Sequence, residues 1–189
     1  MGRALHRRPG KGRRLNPPVT QDHDDSEVPV RADGVRSRWL IVLPVVTIML
    51  ALDQWSKSLA RDHLAGLAAP RQVAPFLELE LVHNTGVAFS LLADHRAVII
   101  GVTVLILIIL ALVARRTPAH DTLTLVGTSL VASGALGNIF DRIRMSYVTD
   151  FIHLPNWPTF NVADIAICTG VALIAWRQWK PMRDPVVST

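Results

Sequence analysis

Two aspartates stand at the borders of apolar segments, where ionisable groups are costly. Asp150 lies in Tyr147-Val148-Thr149-Asp150-Phe151-Ile152, just past one apolar stretch. Asp164 lies in Phe160-Asn161-Val162-Ala163-Asp164, at the start of the next. A charge at membrane depth costs roughly 2.5–3.5 kcal/mol on insertion scales, so such a residue reads first as functional. Two carboxylates at one membrane face could share a proton and activate water, which is the chemistry of an aspartic protease.

Two Asn-x-x-Asp sets accompany them. Asn138 and Asp141 are three apart and share a helical face, as do Asn161 and Asp164. Asp141 stands beside Arg142, an arrangement that invites an ion pair. At the second set, capping is an equally physical reading: Asn161 as N-cap, with Asp164 in a first turn favoured by the helix dipole. Capping does not account for Asp150, which has no adjacent cation and no helical pattern after it. A carboxyl in such surroundings is harder to ionise. Asp53 and Lys57 are four apart and read as an i,i+4 ion pair. Asn84, Gly86 and Ser90 could hydrogen-bond an extended substrate or simply form a turn.

Other chemistries find less support. Ser56 or Ser90 with Lys57 could make a serine–lysine dyad, but such pairs are common. The seven histidines lack metal-ligand spacing, there is no His-Glu-x-x-His, and no glycine-rich phosphate loop occurs. His83 and His153 read as interfacial. Cys168 is the only cysteine, which excludes an intramolecular disulfide. It reads as a small packing residue in an apolar run.

The elements that must position these groups are apolar runs. The chain of 189 residues fits one domain, and its hydrophobic half is gathered in long stretches, which places it among membrane proteins. Four stand out: 39–52 with an extension to 60, 97–114, 123–140 and 160–176. A helix needs about 20 residues to cross the hydrocarbon core. Four crossings are therefore expected. Basic residues cluster before the first run (Arg31, Arg36, Arg38), after the second (Arg115, Arg116) and after the fourth (Arg177, Lys180, Arg183). With four spans these fall on one side, which the positive-inside rule makes cytoplasmic. The connections 60–96 and 143–159, and with them Asp150 and Asp164, then lie outside. Alternation over 76–81 predicts a strand, and a small sheet resting on the membrane, followed by a turn at 83–86.

Residues 1–38 form a basic tail, rich in proline and charge and without apolar period, expected to be disordered. Beside a membrane span it reads as an orientation signal and lipid contact, in preference to nucleic-acid binding. No short apolar core with a small-residue cleavage site begins the chain, so the first span reads as a retained anchor.

Five motifs together carry a family resemblance: Asp53-Gln54-x-x-Lys57; Asn84-x-Gly86-x-Ala88-Phe89-Ser90; Gly134-Ala135-x-Gly137-Asn138-x-x-Asp141-Arg142; Val148-x-Asp150-Phe151-Ile152; and Phe160-Asn161-x-Ala163-Asp164. In this order, between apolar runs, they resemble the bacterial lipoprotein signal peptidases (signal peptidase II) over about residues 39–179. The resemblance implies a four-helix membrane aspartic endopeptidase with a small extracytoplasmic sheet between spans 1 and 2. It implies Asp150 and Asp164 as the catalytic pair. It implies supporting or substrate-binding roles for Asp53, Lys57, Asn84, Gly86, Asn138, Asp141, Arg142 and Asn161. The implied substrate is a prolipoprotein whose lipobox cysteine carries diacylglycerol, cut so that this cysteine becomes the new amino terminus. No metal or cofactor is expected. The expected setting is a monomer in the inner membrane, both termini cytoplasmic, in contact with lipids and not nucleic acid, with 180–189 a short cytoplasmic end. The long tail and the proline-bounded His153-Leu154-Pro155-Asn156-Trp157-Pro158 depart from the family pattern.

Two other classes remain in view. A proton-coupled transporter would use Asp53, Asp141, Asp150 and Asp164 as a relay, which requires acids spread through the membrane depth. A structural anchor would leave the paired Asn-x-x-Asp sets without a purpose.

Overall fold

The computed structural model describes residue 2 and residues 32–86 and 96–179. Most of the amino-terminal tail, the segment holding Ala88, Phe89 and Ser90, and the end 180–189 lie outside the described residues. The elements run α1 (Ala32–Leu64), β1 (Arg71–Ala74), β2 (Leu77–Asn84), α2 (Arg96–Arg116), α3 (Thr122–Met145), β3 (Val148–His153) and α4 (Val162–Trp179). Helix α1 thus begins ahead of Trp39, where its apolar run starts.

Among the described residues three helices are long and apolar enough to cross a membrane, over Ser37–Leu64, Ala97–Arg116 and Thr122–Met145. The fourth apolar run does form a helix, but α4 is 18 residues long, carries Asp164 and Arg177, and does not reach that measure. The protein buries 50% of the spanning window of α3 and 6% of that of α2, so α3 is the central helix and α2 the peripheral one. Helix α2 is apolar all round and exposes Val102, Leu105, Ile108 and Ile109. That is the surface of a helix that meets lipid.

Small residues let α3 and α4 approach closely, as interhelical packing in membranes favours. Gly127 of α3 faces Gly170 of α4, and Gly134 faces the carbonyl of Ala163, an antiparallel pairing. The ends are tied as well. Asp121 caps α3 by accepting from Thr124 N and Thr124 Oγ1, and Arg177 of α4 donates to Asp121 Oδ1 at 3.0 Å. Arg38 of α1 donates to the carbonyl of Arg115 at the end of α2. The basic helix ends are therefore grouped at one end of the bundle.

At the other end sits a three-stranded antiparallel sheet of order β1-β2-β3. The connection between α1 and α2 was expected to supply the whole sheet, yet its third strand comes from beyond α3. Strand β3 was missed because Val148, Thr149, Asp150 and Phe151 are all buried, which leaves no alternation to read. Pairing sets Val82 opposite Asp150 and Asn84 opposite Val148, with an irregularity between Leu79 and Val82. The sheet docks on the end of α1 through Ala60, Leu64 and Phe151, with Leu79, Leu81, Ile152 and Val162 packed around them.

The α3–α4 contact generates a prediction. A Cβ at Gly134 would fall inside the backbone carbonyl of Ala163, which no side-chain rotation can relieve. Gly134→Ala should lower stability by about 1–3 kcal/mol, read as a lower unfolding midpoint in detergent. Gly101→Ala on α2, where an added Cβ meets nothing within 4 Å, should leave it unchanged or raise it slightly, since alanine favours the helix over glycine. Equal midpoints for the two variants would show that the helices are not tightly apposed at Gly134.

Candidate active site

Asp53, Lys57 and Arg61 recur every fourth residue and so line one face of α1. The Asp53–Lys57 ion pair foreseen from their spacing forms at 3.0 Å, but it is not a surface pair: Asp53 is 1% exposed and Lys57 0%. A cation so enclosed must be surrounded by acceptors. Lys57 Nζ also meets Asp141 Oδ2 of α3 at 3.1 Å and donates to Asn138 Oδ1 at 2.9 Å. Gln54 donates to Asp53 Oδ2 at 3.0 Å and to Asp141 Oδ1 at 3.1 Å. Asp53 Oδ1 accepts the backbone N–H of Ala163 at 3.0 Å, which fastens the start of α4 to α1. Among the described residues every buried side-chain nitrogen and oxygen has a hydrogen-bond partner.

Asp141 therefore does not pair with Arg142 as their adjacency suggested. Consecutive helical residues point in different directions and do not face each other. Asp141 turns to α1, and Arg142 reaches back to the carbonyl of Asn138 at 3.4 Å, within coulombic reach of Asp150, Asp164 and Asp141. Asp141 Oδ2 also accepts Thr149 N–H at 3.2 Å, and Arg61 donates to Thr149 Oγ1 at 3.0 Å. These bonds anchor β3 one residue before Asp150.

Asp150, 2% exposed, is held by two side-chain amides. Asn161 Nδ2 donates to its Oδ1 at 2.6 Å, and Asn84 Nδ2 to its Oδ2 at 2.8 Å. The oxygen of the same Asn84 amide, Oδ1, accepts Gly86 N–H at 2.8 Å, and Gly86 adopts φ +98°, a conformation glycine takes without strain. The turn and the grip on Asp150 are thus one device, which joins the two readings of Asn84. Burial pushes the Asp150 carboxyl above the usual carboxylate range. The amides of Asn84 and Asn161 oppose this, the charge of Asp164 reinforces it, and the more distant charge of Lys57 opposes it.

Asp164 is half-buried in the first turn of α4. Asp164 N–H donates to Asn161 Oδ1 at 3.1 Å and Asn161 N–H donates to Asp164 Oδ2 at 3.1 Å, a reciprocal capping box. The capping reading is realised, and it leaves Asp164 Oδ1 free to accept Asn138 Nδ2 at 2.9 Å. Asn161 therefore binds both aspartates, Asp150 through its side chain and Asp164 through its backbone.

The ten residues given roles by the resemblance fall in or beside this cluster, at the sheet end of the bundle, whereas Ser90 lies outside the described residues. Arg61 and Thr149 were not singled out, and Gln54 entered only as a member of the Asp53-Gln54-x-x-Lys57 motif. The every-fourth spacing of Asp53, Lys57 and Arg61 was the available signal for Arg61; Thr149 carried none. Ser56 donates to the carbonyl of Asp53 and Cys168 lies exposed on α4. Among the described residues no three His, Cys, Asp or Glu side chains converge as metal ligands.

Known proteins resemble this chain in sequence and in fold. The chain is 40% identical over 139 residues to a lipoprotein signal peptidase of Moorella thermoacetica, covering 74% of this chain and 93% of that one. It is 44% identical over 156 residues to that of Coxiella burnetii strain Dugway 5J108-111, covering 78% and 92%. Among solved structures it resembles a bacterial membrane enzyme determined by the in meso method at 2.3 Å resolution, with TM-score 0.70, 26% identity, and coverage of 78% of this chain and 93% of that one. A second, at 1.9 Å, matches with TM-score 0.68 and 27% identity over 76% of this chain and 94% of the other. The family model described as signal peptidase (SPase) II matches residues 45–180. That stretch runs from within α1 past the end of α4 and takes in every residue of the buried network, and on this footing the chain belongs to the signal peptidase II family.

Proposed function

We propose that this protein is a membrane aspartic endopeptidase that removes signal peptides from diacylglyceryl-modified prolipoproteins, cutting on the amino side of the lipidated cysteine. The observation that carries the reading is the shared grip of Asn161, which holds the carboxyl groups of Asp150 and Asp164 as one unit. Asp150 is the proton-bearing member, since burial favours its neutral form. Asp164, at the amino end of α4, is the proton acceptor of the pair.

A water held between them loses a proton to Asp164 as its oxygen attacks the scissile carbonyl. Asp150 donates its proton to the carbonyl oxygen, so charge does not build up there. Collapse of the tetrahedral intermediate breaks the C–N bond and returns a proton to the leaving amine. The carboxyls supply every proton transfer, and no metal or cofactor enters the scheme.

In this reading α4 is the fourth crossing, short but within the range of spanning helices. Arg115, Arg116 and Arg177 then mark the cytoplasmic side of the inner membrane, with both termini there and the catalytic end outside. The enzyme acts as a monomer among lipids, without nucleic acid, and its basic tail contacts the lipid surface. A proton relay fits less well, because Asp53, Asp141, Asp150 and Asp164 gather at one end instead of being spread through the bundle.

Two predictions follow from the proton assignments. Asp150→Asn and Asp164→Asn should each slow cleavage of a purified lipidated prolipoprotein by roughly 10²–10⁴-fold, with the variants still folded in detergent. Ser90→Ala and Cys168→Ala should stay close to the parent rate. A near-parental rate in either Asn variant would remove that residue from the pair.

The second concerns pH. Activity requires the proton on Asp150 and is lost as pH rises through the pair's upper titration. The Asn84 amide stabilises the charged form of Asp150. Asn84→Ala should therefore raise the Asp150 pKa further and move the alkaline limb of the kcat/KM profile to higher pH. A limb that stayed in place, or moved to lower pH, would contradict the assignment of the proton to Asp150.

A further inference from the structure

We infer that Lys57 is a positioning residue for Asp164, acting through the side-chain amide of Asn138. The chemistry of the ammonium group decides the direction of the chain of contacts. An ammonium has three donors and no acceptor. Lys57 is 0% exposed, and its three donors are matched by three oxygens: Asp53 Oδ2 at 3.0 Å, Asp141 Oδ2 at 3.1 Å and Asn138 Oδ1 at 2.9 Å. The group of Asn138 that faces Lys57 must therefore be its oxygen. That leaves the amide nitrogen aimed the other way, at Asp164 Oδ1, 2.9 Å off.

A side-chain amide can ordinarily turn over and exchange its oxygen and nitrogen, and only its partners decide which way it lies. Turned over here, Asn138 would point an N–H at a cation and an oxygen at a carboxylate, two repulsive contacts. The buried charge on α1 thereby locks the donor that holds the Asp164 carboxylate in place. Asn161 Nδ2 also reaches Asn138 Oδ1, at 3.2 Å, but its shorter bond, 2.6 Å, is to Asp150. Lys57 is the partner that carries charge, and among the described residues no other cation is bonded to that oxygen.

Lys57 thus does more than balance two buried carboxylates. The inference uses the peptidase reading for its kinetic test only. Removing Lys57 alone would strand Asp53 and Asp141, so the first variant is the charge-balanced double substitution Lys57→Met with Asp53→Asn. The second is Asn138→Asp, which keeps three oxygens around Lys57 but has no N–H to offer Asp164. Both are purified as full chains in detergent. Cleavage of a lipidated prolipoprotein is followed, and the carboxylate stretching band of Asp164, identified by its loss in Asp164→Asn, is recorded in the infrared.

Both variants should shift the Asp164 band and lower kcat by roughly 10–100-fold with KM little changed, the signature of a misplaced reacting group. A double variant with a native unfolding midpoint, parental kcat and an unshifted band would overturn the inference and leave Lys57 as a charge balance. An Asn138→Asp variant with parental kcat and band would overturn it too, and it decides the matter if the double variant does not fold. Shifted bands in a protein that, unmodified, does not cleave the substrate would uphold the positioning while contradicting the peptidase reading.

Discussion

One cation enclosed by two helices organises the sheet end of this molecule. Lys57 lies fully buried between Asp53 of its own helix and Asp141 of α3. Taking three charges out of water is unfavourable, and a buried pair gains stability only when geometry and hydrogen bonds are nearly complete. Here they are: Gln54, the backbone N–H groups of Ala163 and Thr149, and the Asn138 oxygen fill the remaining positions. Breaking such a set by removing one member is costly, which makes the arrangement specific even where it is not the most stable one available. It fixes α1 against α3, draws in the start of α4 through Ala163, and pins β3 through Thr149.

From that frame the two aspartates receive different environments through similar means. Asp150 sits on a buried strand and, among the described residues, accepts hydrogen bonds from two neutral amides. Asp164 sits at a helix amino terminus inside a capping box. Burial in the first setting favours the protonated form of Asp150. The capping box uses only one oxygen of Asp164, while the other faces Asn138.

Much of this was legible beforehand. The Asn-x-x-Asp spacing placed Asn138 with Asp141 and Asn161 with Asp164 on common faces, and the four-residue step from Asp53 to Lys57 foretold their contact. What could not be read was which groups meet across elements. Asp141 is 84 positions from Lys57 in sequence, and nothing local distinguishes that partner from Arg142 next door. Strand β3 escaped for a related reason: burial on both faces erases the alternation that marks a half-exposed strand. The Asn84 turn was visible in outline, but its second bond, to Asp150, arises only once β2 and β3 pair.

The central claim is that water, activated by Asp150 and Asp164, attacks the substrate directly. Single-turnover cleavage of a lipidated prolipoprotein in ¹⁸O-labelled water containing hydroxylamine tests it most directly, with the released signal peptide and the intact enzyme both weighed by mass spectrometry. The account predicts one ¹⁸O in the new carboxyl group of the peptide, no peptide hydroxamate and no mass added to the enzyme. A hydroxamate product, or an enzyme carrying the peptide on a side chain, would mean that a protein nucleophile attacks first and would contradict it.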